Sequence, residues 1–203
     1  LAFLNAKDPG ATNLMRKGVV QAGFKMQTMG YDLAKKLRLG ADSLKNAPKT
    51  TVGKPSVKEQ VIHFVNRPLP RHVPLQTARA ILGIEGDKHI PIIRNPELPE
   101  DAEAVFYFPG CGSERLFSQV GLATQAMLWH VGVQTVLPPG YLCCGYPQNA
   151  HGDADKADKM VTDNRVLFHR MANTLNYLDI KTVVVSCGTC YDALAEYRFE
   201  EIF

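Results

Sequence analysis

The residues of this 203-residue chain best suited to chemistry are its five cysteines, Cys111, Cys143, Cys144, Cys187 and Cys190. An odd count argues against a closed disulfide framework. Cys143 and Cys144 are adjacent, and a trans peptide holds their Cα atoms about 3.8 Å apart, shorter than the range in which disulfides form without strain. All five fall between positions 111 and 190, whereas buried cysteines used only for packing should scatter through both halves. Such clustering of reduced thiols suits a cytoplasmic protein and asks for a metal or a redox reaction.

Three chemistries compete for them. A structural zinc site closes with four ligands, usually as two close Cys-x2-Cys pairs; Cys187 and Cys190 are one such pair, and a fifth thiolate would be surplus. A dithiol at Cys187-Gly188-Thr189-Cys190 sits where thioredoxin-like chemistry needs it but leaves Cys111, Cys143 and Cys144 unexplained. An iron–sulfur cluster takes thiolates across long spacings, and a cubane needs only four. Five suggest an irregular assembly or four ligands and an exchanging spare. The residues favour iron–sulfur, with a zinc-stabilised interaction domain and a dithiol oxidoreductase as alternatives.

The elements that must position these thiols repeat three times. Ala104–Phe108 is a short β-favouring run ending at Pro109-Gly110-Cys111, followed by a helical pattern from Glu114 to Val131. Leu116, Val120, Ala123, Met127, Leu128 and Val131 recur at three- and four-residue steps and are expected to form its buried face. Residues 134–137 form the second strand, with Cys143-Cys144-Gly145 in the loop before a long helix starting near Asp153. Met160, Leu167, Met171, Leu175 and Leu178 are expected to line that helix's core face. Asp153, Asp155 and Asp158 suit its positive amino end. Thr182–Val185 is the third strand, leading through Ser186-Cys187-Gly188-Thr189-Cys190 into a last helix.

Alternation of strand and helix implies an α/β fold: a parallel sheet with flanking helices in Rossmann-like βα repeats. The loops at the carboxyl ends of such strands converge on one crevice, and here each carries cysteine. Gly110, Gly112, Gly145 and Gly188 allow tight turns and close approach to a bulky group. Helix amino ends nearby favour thiolates.

The first half differs. Residues 1–100 carry 16 Lys+Arg against 8 Asp+Glu, the remainder 7 against 12, so net charges of +8 and −5 make up the total of +3. Nine of the thirteen prolines lie there. Residues 1–102 therefore read as a basic, Pro-rich, loop-rich extension, with one or two helices over 13–39, a loop over 45–55, a short strand at 61–65 and a short helix at 75–82. Its charge fits a solvated face or docking onto an acidic partner domain; no aromatic platform or recognition motif supports nucleic-acid binding. No apolar stretch approaches the roughly 20 residues of a membrane span, though peripheral association with a membrane stays compatible. Residues 194–203 read as a helix interrupted in mid-pattern, as expected for a piece of a longer protein.

The arrangement Cys111-x31-Cys143-Cys144-Gly145-x41-Cys187-x2-Cys190, with Pro109-Gly110 before the first cysteine and Ser186 before the fourth, resembles a known family. It is similar to the CCG or cysteine-rich domain of the catalytic B subunit of heterodisulfide reductase and of the iron–sulfur subunits of glycolate, lactate and glycerol-3-phosphate dehydrogenases. The resemblance covers residues 103–203. It implies that Cys111, Cys143, Cys144, Cys187 and Cys190 bind a [4Fe–4S] cluster, non-cubane in the heterodisulfide reductase domains, where the vicinal pair would touch different or bridging irons. Other relatives hold an ordinary cluster or zinc.

The interval between the vicinal pair and Cys187 is longer than the family's usual one, which suggests an extended helix over 153–178. Family members usually carry two such motifs and this chain carries one. The basic first half resembles the segment preceding this domain in fusions of an FAD-linked oxidase, a ferredoxin-type domain and a cysteine-rich domain. The implied role is electron transfer within an oxidoreductase acting on a 2-hydroxy acid of the lactate or glycolate type. FAD would reside on a partner domain or subunit, so this chain would be a domain of an oxidoreductase rather than a complete enzyme, with no catalytic residues of its own.

Other side chains are weaker candidates. His151 is a donor to sulfur or a proton relay, or more simply a helix-entry residue. Tyr141, Tyr146 and Tyr191 flank cysteines and could donate to sulfur or merely pack. Trp129 and His130 read as packing and helix-end residues. No glycine-rich nucleotide fingerprint, Walker loop or nucleophile elbow is present.

Overall fold

The computed structural model describes residues 13–14, 16–37, 74 and 76–203. The loop expected at 45–55 and the strand at 61–65 lie outside the described residues. Contacts divide the chain into two units, Leu1–Arg16 with Gln76–Phe203, and Lys17–Leu75. A π-helical stretch over Arg16–Gln21 leads into helix α1, Ala22–Lys36, which ends on Lys35 and Lys36 where basic side chains suit the helix dipole.

The first unit is mixed α/β. Helix α2, Ala78–Leu82, starts at Thr77, whose hydroxyl accepts from the Ala80 N–H at 3.2 Å, and stops at Gly83 in the left-handed region. The sheet contains β1 (Ile92–Ile93), β2 (Ala104–Phe108), β3 (Gln134–Val136) and β4 (Thr182–Val185), in the order β1-β3-β2-β4. β2 pairs in parallel with β3 and with β4, as expected; β1 pairs antiparallel with β3. Thus the sheet takes an edge strand from before residue 103. Preceded by Pro91 and only two residues long, β1 carries almost no periodic signal.

β2 is buried on both sides because helices cover both faces. Phe106 and Phe108 pack with Phe168, Met171, Leu194 and Tyr197, contributed mainly by helices α5 (Ala154–Thr174) and α6 (Gly188–Ala195). Tyr107, pointing the other way, lines a small cavity with residues of α2 and α3 (Ser118–His130). A short helix α4, Tyr146–Ala150, precedes α5. No helix among the described residues is long and apolar enough to cross a membrane.

Two expectations change. The helical pattern from 114 splits into a π turn, Gly112–Leu116, and α3. α3 buries Ser118, Gly121 and Gln125, while Val120, Met127 and Val131 are exposed and Leu116 and Leu128 half-buried. The cause is close approach: a Cβ at Gly121 would stand 2.6 Å from the Ser113 carbonyl oxygen, so the helix packs through its small face rather than its bulky one. At the other end, α6 stops at Ala195 instead of running on. Arg198 is left-handed at φ 50°, and Phe199, Ile202 and Phe203 fold back, with Phe203 stacked 5.3 Å from Phe106. Their apolar side chains gain more by covering the sheet than by extending a helix. On α5 the expected face largely holds, but its line of burial is Ala157, Asn164, Phe168 and Met171.

Candidate functional site

In the parallel part of the sheet the chain steps from β2 to β3 on one side, then crosses β2 to place β4 on the other. The loops that leave the carboxyl ends of the paired strands β2 and β4 therefore flank a topological switch point, where open α/β sheets form their ligand crevice. All five cysteines follow parallel strands: Cys111 after β2, Cys143 and Cys144 after β3, Cys187 and Cys190 after β4.

The structure brings all five together as free thiols. Cys143 Sγ lies 3.8 Å from Cys111 Sγ, well beyond the S–S bond length of about 2.05 Å. Cys144 neighbours both Cys143 and Cys190, and Cys190 neighbours Cys187. The sulfurs thus form a continuous run, 111–143–144–190–187. Cys143, Cys144 and Cys190 are buried and the two end members are half-buried. Among the described residues, no group of three or more His, Cys, Asp or Glu side chains is arranged to hold a metal ion.

Local backbone explains the convergence. Gly110 has φ +66°, and a Cβ there would meet Cys190 Sγ at 2.6 Å; only a glycine lets the β2 loop pass against that sulfur. Gly145, at φ +92°, turns the chain sharply after the vicinal pair into α4. Gly112 and Gly188, by contrast, face open space. Cys187 occupies the amino-terminal cap position of α6, with Cys190 in its first turn.

Buried polar groups hold the vicinal pair. Asn164 donates to the Cys143 carbonyl oxygen at 2.8 Å and to the Tyr197 hydroxyl at 3.1 Å, and Tyr197 donates to the Cys144 carbonyl oxygen at 3.1 Å. The Tyr107 hydroxyl is 3.0 Å from Ser186 Oγ, tying β2 to the loop that carries Cys187. On the other side of Cys111, Arg79 Nε donates to Glu114 and its Nη2 to the Pro138 carbonyl oxygen at 2.6 Å. The Arg115 guanidinium stands 5.2 Å from the centre of the Tyr141 ring, and the Tyr141 hydroxyl donates to Glu85 at 2.9 Å and meets Thr77 at 2.6 Å.

Environment sets the thiols apart. Contact with Cys143, together with burial, pushes Cys111 far above an ordinary thiol. Cys143 is lowered by Cys111, but Cys144 and burial outweigh this and push it up to about 11. Cys144, lowered by Cys143, is raised by Cys190 and by burial to about 12. Burial would raise Cys187 too, yet the Thr189 hydroxyl at 3.0 Å and the Cys190 and Thr189 backbone hold it below the usual value. Three of the five, Cys111, Cys143 and Cys144, are thus placed where protons bind tightly unless a cation replaces them.

The remaining candidates are not all at the site. Tyr141 is buried and belongs to the Arg115 cluster; Tyr146, Tyr191, Trp129, His130 and His151 are exposed. Asn164, Tyr197 and Arg115 were not singled out in the sequence, where a polar residue within an amphipathic pattern gives no sign that it binds a cysteine carbonyl.

Residues 105–195 match the family model of the cysteine-rich domain, CCG. The chain is similar to the Bacillus subtilis (strain 168) protein named "Probable glycolate oxidase iron-sulfur subunit", at 28% identity over 64% of this chain and 28% of the relative. It is similar at 29% identity to lactate utilization protein A of an Exiguobacterium species, over 46% of this chain and 35% of the relative. An uncharacterized iron–sulfur protein of Methanocaldococcus jannaschii is 28% identical over 56% of this chain and 24% of its own length. The matches thus span about a quarter to a third of these relatives. No solved structure matches the chain significantly.

Proposed function

We propose that the cysteine-rich domain, taken as residues 103–203, holds an iron–sulfur cluster through Cys111, Cys143, Cys144, Cys187 and Cys190 and serves as an electron-transfer domain of an oxidoreductase. The observation that carries this reading is the unbroken run of five unbonded sulfurs at the switch point of the sheet. The donor set is all thiol, which suits iron–sulfur assemblies. Five thiols also exceed the four ligands with which a structural zinc site closes. Bound there, the cluster would supply one-electron transfer without proton or group transfer.

The chain's own residues do the positioning. Gly110 gives clearance beside Cys190, Asn164 and Tyr197 fix the Cys143 and Cys144 backbone, and burial excludes water from three of the sulfurs. A non-cubane [4Fe–4S] assembly would engage all five thiols, whereas a cubane would take four and leave one spare. The names of the relatives support the wider assignment: electrons would come from an FAD-linked dehydrogenase domain or subunit acting on a 2-hydroxy acid such as lactate or glycolate, with a ferredoxin-type domain as a further partner. The working compartment in this reading is the cytoplasm. Single Cys→Ser variants test the ligand set under anaerobic reconstitution. Each is expected to lose iron or change the visible spectrum; a Cys111→Ser protein with unaltered iron content and spectrum would refute the five-ligand assignment.

A further inference from the structure

The cysteine run has a cationic neighbour that the ligand set does not include. Arg115 is fully buried, in the π turn that begins just after Cys111, with its guanidinium against the Tyr141 ring. Tyr141 itself stands two residues before Cys143, so Arg115 is enclosed by the two loops that deliver Cys111 and Cys143. Its charge bears on both of those sulfurs. The adjacent Glu114 is also buried and is engaged by Arg79, whose Nε–H donates to its carboxylate. Two guanidinium groups therefore flank one carboxylate. Arg79 donates to Glu114, and the Arg115 charge bears on Glu114 as well as on Cys111 and Cys143.

We propose that Arg115 is a positioning and charge-compensating residue of the cysteine site, setting the potential at which that site accepts an electron. The inference rests on the cluster-binding reading above. Reduction adds one electron and breaks no bond, so it adds one negative charge beside the thiolates. A buried guanidinium attracts that charge strongly because little water intervenes. Arg115 thereby favours the reduced state. Glu114 opposes it, and Arg79 limits that opposition by pairing with the carboxylate.

The test is redox titration of the anaerobically reconstituted protein with dithionite, following visible absorption, alongside iron analysis. Arg115→Gln is expected to bind iron as wild type does but to weaken the reduction equilibrium at least tenfold, 59 mV for one electron. Arg115→Lys, which keeps the charge, should stay within about threefold of wild type, a difference well inside that tenfold step. Glu114→Gln retains an oxygen for the Arg79 N–H and should move the potential the opposite way, upward, which mere structural disturbance would not do. If only one of the two Gln variants folds, that one decides. An iron-loaded variant with an unmoved potential, or a shift of the wrong sign, overturns the role of Arg115 alone. Wild-type protein that takes up no iron instead overturns the reading on which it rests.

Discussion

Asn164, on the buried line of α5, donates its amide to the backbone carbonyl of Cys143 at 2.8 Å, binding that helix to the vicinal cysteine pair. The same amide donates to Tyr197, whose hydroxyl donates to the next carbonyl, that of Cys144. Two consecutive carbonyls are thereby fixed by two buried side chains, and the direction in which both thiols leave the backbone is fixed with them.

Asn164→Leu keeps the volume and removes the donor, leaving buried acceptors without it. A cost of about 2–4 kcal/mol is expected, from the lost hydrogen bonds and the penalty of unsatisfied buried oxygen. Tyr197→Phe should cost less, about 1–2 kcal/mol. Urea denaturation of the metal-free protein measures both; changes below about 0.5 kcal/mol, ordinary for surface sites, would show that the clamp contributes nothing.

Gly110→Ala places a methyl group against Cys190 Sγ at a positive φ. Strain and overpacking together should cost about 2–4 kcal/mol. Gly188→Ala, whose new methyl meets nothing within 4 Å, is the control and should leave stability within about 0.5 kcal/mol of wild type. Equal effects at the two glycines in urea denaturation of the metal-free protein would contradict the close approach.

The metal-free protein should lose stability at alkaline pH. Cys111, Cys143 and Cys144 hold their protons more tightly folded than unfolded, where a thiol titrates near about 8.5. Their contribution is complete below that value and disappears as pH rises through the folded values, about 11 for Cys143 and about 12 for Cys144. The urea midpoint is therefore expected to fall between roughly pH 8.5 and 11. A midpoint that rises over this window would contradict the buried thiol environment.

Cys187 behaves oppositely. Its lowered pKa and partial exposure make it the expected first target of iodoacetamide near neutral pH in the metal-free protein, with Cys143 and Cys144 protected. Peptide mass spectrometry reads the order, and prior modification of Cys144 would be inconsistent with this geometry.

Strands β2 and β4 were legible because Ala104–Phe108 and Thr182–Val185 are uninterrupted β-favouring runs, each followed by a segment that carries cysteine. The relation of Arg79 to Glu114 was not, since an ion pair between residues 35 positions apart has no local pattern. Nor was the face of α3, where spacing alone favoured Val120 and Met127 over the small surface around Gly121 that the packing requires. Asn164 was hidden for the same reason: its partners are backbone oxygens, and no side-chain motif announces a carbonyl. The thiol run itself could be anticipated as a convergence of loops, but its order, with Cys144 between Cys143 and Cys190, needed the strand order β3-β2-β4.

The most direct measurement is the iron, acid-labile sulfide and zinc content of the wild-type chain reconstituted without oxygen, taken with its visible spectrum. The expected result is about four irons with matching sulfide per chain and broad visible absorption. One zinc per chain with no colour, or neither metal after reconstitution, would contradict the assignment of the five cysteines to an iron–sulfur cluster.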